Sequence, residues 1–135
     1  MVRREIVNPP GLGMPLGYSH GIRVGRLLFI GGQIGATPRA DGRPVVVSKE
    51  FVPQFSRALS NVLEVVHAAG GGPRNIVEMV VYVKGMGEYR ESRRELGEVW
   101  KKAMGKHYPA MTLVEVSDLF EDGALVEIRA VAALG

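Results

Sequence analysis

The chain has 135 residues, 46% of them hydrophobic and 23% charged, a composition that suits one globular domain spanning 1–135 and excludes long disordered stretches. It contains no cysteine, which excludes disulfides, thiolate metal sites and cysteine nucleophiles and fits a reducing compartment. The formal net charge is +3, but acids and bases are mixed along the chain instead of forming the basic stripe that nucleic-acid binding uses.

The stretch from Asn8 to Gly21 is rich in proline and glycine and reads as a loop. Ile22 and Val24 then alternate with Arg23, and Gly25-Arg26 forms a two-residue turn. This predicts a hairpin with strands near Ile22–Val24 and Leu27–Ile30. Gly31, Gly32 and Gly35 leave a backbone that another group can approach closely. Thr37 to Pro44 reads as a turn and Val45–Val47 as a short strand. Pro53 suits the first turn of a helix. From there Phe55, Ala58, Leu59, Val62, Val66 and Ala69 recur at helical spacing, and Gly70-Gly71-Gly72-Pro73 ends the helix.

Ile76 to Lys84 is rich in valine and reads as a strand covered on both faces. Tyr89, Ser92, Leu96, Val99, Trp100 and Ala103 trace a second helix, ended by Gly105. Its charged face offers i,i+4 pairs, Glu98 with Lys102 and Arg94 with Glu98. Thr112–Val116 and Ala124–Ala132 read as the final strands. In the last, Ala124, Val126, Ile128 and Ala130 form an apolar face for the helices. Leu125, Glu127, Arg129 and Val131 form a mixed face that suggests a second packed surface or a site. The order strand-strand-helix-strand-helix-strand-strand is α+β. No segment approaches the ~20 apolar residues of a membrane span. Met1-Val2-Arg3-Arg4-Glu5 lacks the apolar stretch of a signal peptide, so a cytoplasmic protein with no membrane partner is expected.

Few motifs carry chemistry. Lys84-Gly85-Met86-Gly87-Glu88-Tyr89-Arg90 approaches the dinucleotide fingerprint, but Arg90 stands where the third glycine belongs, so it reads as a plain turn. Gly31-Gly32-Gln33-Ile34-Gly35 is followed by no Gly-Lys-Ser/Thr and is no P-loop. His20, His67 and His107 are far apart in sequence and form no metal-ligand spacing. An acid–base pair of His20 and His107 would be able to cleave RNA if the fold joined them. Glu127 stands out on pattern alone. A carboxylate among apolar neighbours on a strand is desolvated and suited to proton transfer, or else it forms a structural ion pair with a residue such as Arg129.

Several segments together resemble the reactive intermediate deaminase (Rid, or YjgF) family, also labelled L-PSP endoribonuclease or translation inhibitor. They are Tyr18-Ser19-His20-Gly21-Ile22, Leu27 through Gly35, Ala58-Leu59-Ser60-Asn61-Val62, Ala68-Ala69-Gly70-Gly71, Ile76 through Val83, Tyr108-Pro109-Ala110 and Ala124-Leu125-Val126-Glu127-Ile128. The resemblance implies a chorismate-mutase-like fold, a mixed sheet with two helices packed on one face. It implies a homotrimer with small-molecule clefts between neighbouring subunits, and hydrolysis of enamines or imines without metal or organic cofactor. Carried over by position, Glu127 is the catalytic carboxylate that activates water. Tyr18, Gly31, Gly32, Arg93, Met111 and Leu113 are the ligand-binding positions. The chain departs from the pattern where the family's Pro-Ala-Arg reads Pro109-Ala110-Met111, where Gly31 replaces a serine, and where a helical asparagine falls at Arg93. Methionine cannot pair bidentately with a substrate carboxylate, so small keto-acid imines are poor substrate candidates. The alternatives are an endoribonuclease and a non-catalytic chaperone-like binding protein.

Overall fold

The computed structural model of the protein describes residues 2–135. The predicted hairpin forms: β2 (Gly21–Val24) pairs antiparallel with β3 (Leu27–Ile34), and Gly25 takes φ +61° at the turn, a backbone region that favours glycine. A strand that carries no apolar alternation, β1 (Arg4–Val7), flanks β2 at the sheet edge. The expected turn closes a small separate hairpin around residues 39–43, between β4 (Ala36–Pro38) and β5 (Pro44–Val46), the second overlapping the strand expected at Val45–Val47.

Helix α1 (Phe51–Ala68) buries Phe55, Ala58, Leu59, Val62 and Val66, the predicted stripe. After β6 (Ile76–Val83) the expected single helix is two, α2 (Met86–Glu91) and α3 (Arg93–Met104). They divide at Ser92, whose backbone (φ −97°, ψ 7°) leaves the helical region. Its N–H is shared between the Glu88 and Tyr89 carbonyls, and the Arg90 carbonyl accepts from Arg93 Nε instead. Strands β7 (Ala110–Glu115) and β8 (Val126–Ala133) complete the chain.

The main sheet runs β1-β2-β3-β8-β6-β7. All neighbours are antiparallel except β6 and β7, which α2 and α3 connect as a crossover. The architecture is therefore α+β with a mixed sheet, with three helices where two were expected. Helices α1 and α3 cover one face. Val126, Ile128, Ala130 and Ala132 of β8 are buried there, beside Met79, Val81 and Val83 of β6. The opposite face is open within the chain. Val80 and Tyr82 are only half-buried, so β6 is covered on one face and not on both. Among the described residues the ion pairs are Lys84–Asp118 (3.2 Å) and Arg43–Asp41 (3.9 Å); the expected pairs on α3 do not close. No helix among the described residues is long and apolar enough to cross a membrane.

Two polar residues, Gln54 and Asn61, interrupt the buried stripe of α1, and both bond to backbone groups outside the helix. Gln54 is fully buried: its Nε2 donates to the Ser48 and Gly123 carbonyls (2.7 and 2.9 Å), and its Oε1 accepts from Leu125 N–H (2.8 Å). One side chain thus clamps the entrance to α1 to the entrance to β8. Gln54→Leu leaves all three backbone groups without that partner and is expected to destabilise the protein by about 3 kcal/mol in denaturant unfolding. A change below about 0.5 kcal/mol would show that water replaces the amide at no cost.

Candidate functional site

Strand β3 holds one more residue than β8 needs. The two pair regularly through Ile30↔Ala130, then resume at Gln33↔Ile128, so that Gly31 and Gly32 together face Arg129. Such a bulge turns the rest of the strand over. Gln33 consequently points inward, where it is buried, and Ile34 lies beside Glu127 on the open face. Strand β2 has ended by this point, since Gly21 pairs with Ile30. The far edge of residues 32–34 therefore borders a cleft instead of another strand.

The inward Gln33 meets His20, which is also buried. Gln33 Nε2 donates to His20 Nδ1 (3.2 Å) and lies 3.3 Å from the Gly31 carbonyl, while His20 Nε2 lies 3.2 Å from the Gly13 carbonyl. A carbonyl only accepts, so the ring carries its proton on Nε2. The His20 N–H donates to Asn8 Oδ1 (2.8 Å) and its carbonyl accepts from Gly31 N–H (2.8 Å). Asn61 of α1 donates to the carbonyls of Ile34 and Ala36 (3.1 and 2.9 Å). Buried polar groups thus anchor both ends of the bulge.

On the open face the Glu127 carboxylate lies over Gly32. A β-carbon at Gly32 would stand within 2.2 Å of Glu127 Oε2, so the carboxylate occupies space that any other residue would fill. Among the described residues neither ion pair involves Glu127, so the structural pair with Arg129 does not form within the chain. Burial pushes its carboxyl above the ordinary range. Burial, and then the adjacent Glu127 charge, push the Tyr18 phenol up as well. Tyr18 also stands edge-on to His20 (ring centroids 5.4 Å apart).

These groups share one cleft of about 540 Å³. Of the expected positions, Tyr18, Gly31, Gly32 and Glu127 line it. Arg93, Met111 and Leu113 do not. Arg93 is exposed at the start of α3, Met111 is partly exposed on the edge strand β7, and Leu113 packs against the core. Sequence reasoning missed Gln33, Asn61, Arg43 and Phe120, which also line the cleft. Asn61 carried a signal: with Gln54, seven residues before it, it breaks the apolar stripe of α1. The histidines are not brought together. His107 Nε2 donates to the Ile76 carbonyl (2.6 Å), and His107 does not line the cleft.

A family model described as endoribonuclease L-PSP matches residues 14–134. A RutC family protein of Pyrococcus horikoshii is 32% identical over 130 residues, covering 96% of this chain and 97% of that one. A 2-iminobutanoate/2-iminopropanoate deaminase of Homo sapiens is 30% identical over 135 residues, covering 100% of this chain and 93% of that one. The crystal structure of the YjgF gene product from E. coli superposes with a TM-score of 0.82 at 25% identity, over 96% of this chain and 98% of that one.

The raised carboxyl of Glu127 has a stability consequence. Its folded pKa lies above the unfolded one, so ionisation opposes folding as pH rises through the folded value, and the penalty vanishes below the unfolded value. Glu127→Gln is expected to raise the melting temperature at about pH 7–8 and to leave it nearly unchanged near about pH 4. A Tm difference of the same size at both ends would remove the desolvation account.

Proposed function

The chain belongs to the Rid/YjgF family, whose model bears the endoribonuclease L-PSP description, and on that premise we propose that it hydrolyses an imine or enamine to a carbonyl compound and ammonia in this cleft. The observation that carries the reading is the Glu127 carboxylate, half-buried, raised in pKa and without an ion-pair partner among the described residues, seated over Gly32 beside Tyr18. An ionised Glu127 takes a proton from water as the water oxygen bonds to the imine carbon, and the C=N π pair moves onto nitrogen. The protonated carboxyl then gives that proton to nitrogen. The carboxylate then takes the remaining hydroxyl proton as the oxygen closes to C=O and passes it to the departing nitrogen, which leaves as ammonia. A carboxyl whose pKa burial has raised suits both halves, because it holds a proton taken from water more readily than an ordinary carboxylate and can still return it.

The assembly belongs to the same reading. On the open face of the sheet Phe29 and Val114 are exposed, beside half-buried Val80, Tyr82 and Val131. Exposed apolar side chains on a sheet face, here with Arg129 among them, favour association. A homotrimer packing these faces inward would bring β7 of one copy, with Met111 and Leu113, towards the cleft of the next. In that arrangement Met111 stands where an arginine would hold a substrate's α-carboxylate. Light scattering is expected to give three times the 14.6 kDa chain mass. A stable monomer at micromolar concentration would sink the shared cleft.

RNA cleavage is the second reading, favoured by the description of the family model. The pair it would use is not assembled within the chain, since both ring nitrogens of His20 are engaged and His107 bonds Ile76. Ammonia release from freshly generated imines separates the two. Glu127→Gln is expected to lower release by about 10²–10⁴-fold, and Met111→Arg to improve turnover of the pyruvate imine. Full activity in Glu127→Gln, or RNA cleavage lost in His20→Ala and His107→Ala, would favour the RNA reading.

A further inference from the structure

Within one chain the cleft has more volume and more apolar lining than a three-carbon acid fills. Its volume of about 540 Å³ is in the range that holds drug-sized ligands. Leu16 and Met14 line it with 72% and 76% of their surfaces exposed, and Phe120 lines it almost fully exposed. Among the described residues that line it, Arg43 is the only arginine or lysine, and Glu121 and Glu127 are the acids. Any anion entering the cleft of one chain therefore has one guanidinium to meet.

Arg43 is held in place through its backbone. It ends the 39–43 turn, where its carbonyl accepts from Arg39 N–H (2.7 Å) and its N–H donates to Asp41 Oδ1 (3.0 Å). The turn is packed against the loop that carries Met14: a β-carbon at Gly13 would lie 2.8 Å from Pro38 Cβ, and Gly42 lies against the Met14 carbonyl. The guanidinium itself is weakly held, since its nearest acid is Asp41 at 3.9 Å and both side chains are largely exposed. It is free to bind another anion.

We infer that Arg43 is a specificity-determining residue that selects substrates carrying an anionic group remote from the reacting carbon, with an apolar body between them along Met14, Leu16 and Phe120. This rests on the proposed function in taking Glu127 as the reacting end. The substrate class is then an imine of a longer oxo acid whose carboxylate is several bonds from the C=N carbon, in contrast to a 2-imino acid.

The test uses binding, which is independent of turnover. Titration calorimetry on the intact protein would compare a straight-chain oxo acid, its carboxylate terminal to the chain, with the primary amide of the same acid. The acid is expected to bind about tenfold more tightly, a modest ratio because Arg43 is water-exposed. Added salt should weaken only the acid. Arg43→Gln should erase the preference and Arg43→Lys keep part of it. Equal affinity for acid and amide, or a preference that survives Arg43→Gln in a variant with unchanged Tm, overturns the inference. Ammonia release from the imine of the same acid by the natural protein is the separate readout of chemistry. Its absence, together with an Arg43-dependent preference, removes imine hydrolysis and leaves the anion subsite standing.

Discussion

One additional residue in β3 organises the site. Without the bulge at Gly31 and Gly32, alternation would send Gln33 to the open face beside Glu127 and turn Ile34 towards the helices. The bulge reverses this. It delivers an amide to the interior, where His20 awaits it, and clears the open face above Gly32 for a carboxylate. A strand of regular register would supply neither, so the fold accepts two residues without ladder partners on β8 at this point.

That local loss is offset by buried polar side chains that act as backbone partners. Gln54, Asn61, Gln33 and His20 are all buried and all bond to main-chain groups of loops or strand ends. Among the described residues no buried side-chain nitrogen or oxygen lacks a partner. In a low-dielectric interior such satisfied contacts fix one geometry, because any shift strands a polar group. The glycine at 35 belongs to the same arrangement. Its missing β-carbon lets the link between β3 and β4 come against the Gln54 backbone, whose Cα and carbonyl a side chain there would strike. Core packing and site positioning are consequently carried by the same turns of α1.

Much of this was legible in the sequence, and the rest was hidden for identifiable reasons. The Gly25-Arg26 hairpin, the stripe of α1 and the two faces of β8 follow from glycine chemistry and from periods of 3.6 and 2. All three are local signals. Strand β1 escaped notice because an edge strand reading Arg4-Glu5-Ile6-Val7 needs no apolar alternation. The break at Ser92 escaped because apolar spacing runs unbroken from Tyr89 to Ala103 while the backbone does not. Glu127 could be singled out from its strand. The residues around it could not, because the register shift that brings Gln33 inward and the hairpin that carries Arg43 to the cleft depend on long-range pairing. Arg93, Met111 and Leu113 were named by resemblance and lie away from the cleft of a single chain.

The contact between Gly32 and Glu127 also constrains how this protein can change. A side chain at 32 and a carboxylate at 127 compete for the same volume. A residue larger than glycine at 32 therefore costs the carboxylate its present position. While Glu127 is retained, a β-carbon at 32 displaces its carboxylate from the position over the strand. Once Glu127 is lost, the pressure that keeps glycine there lapses. Residues 32 and 127 are therefore expected to vary together.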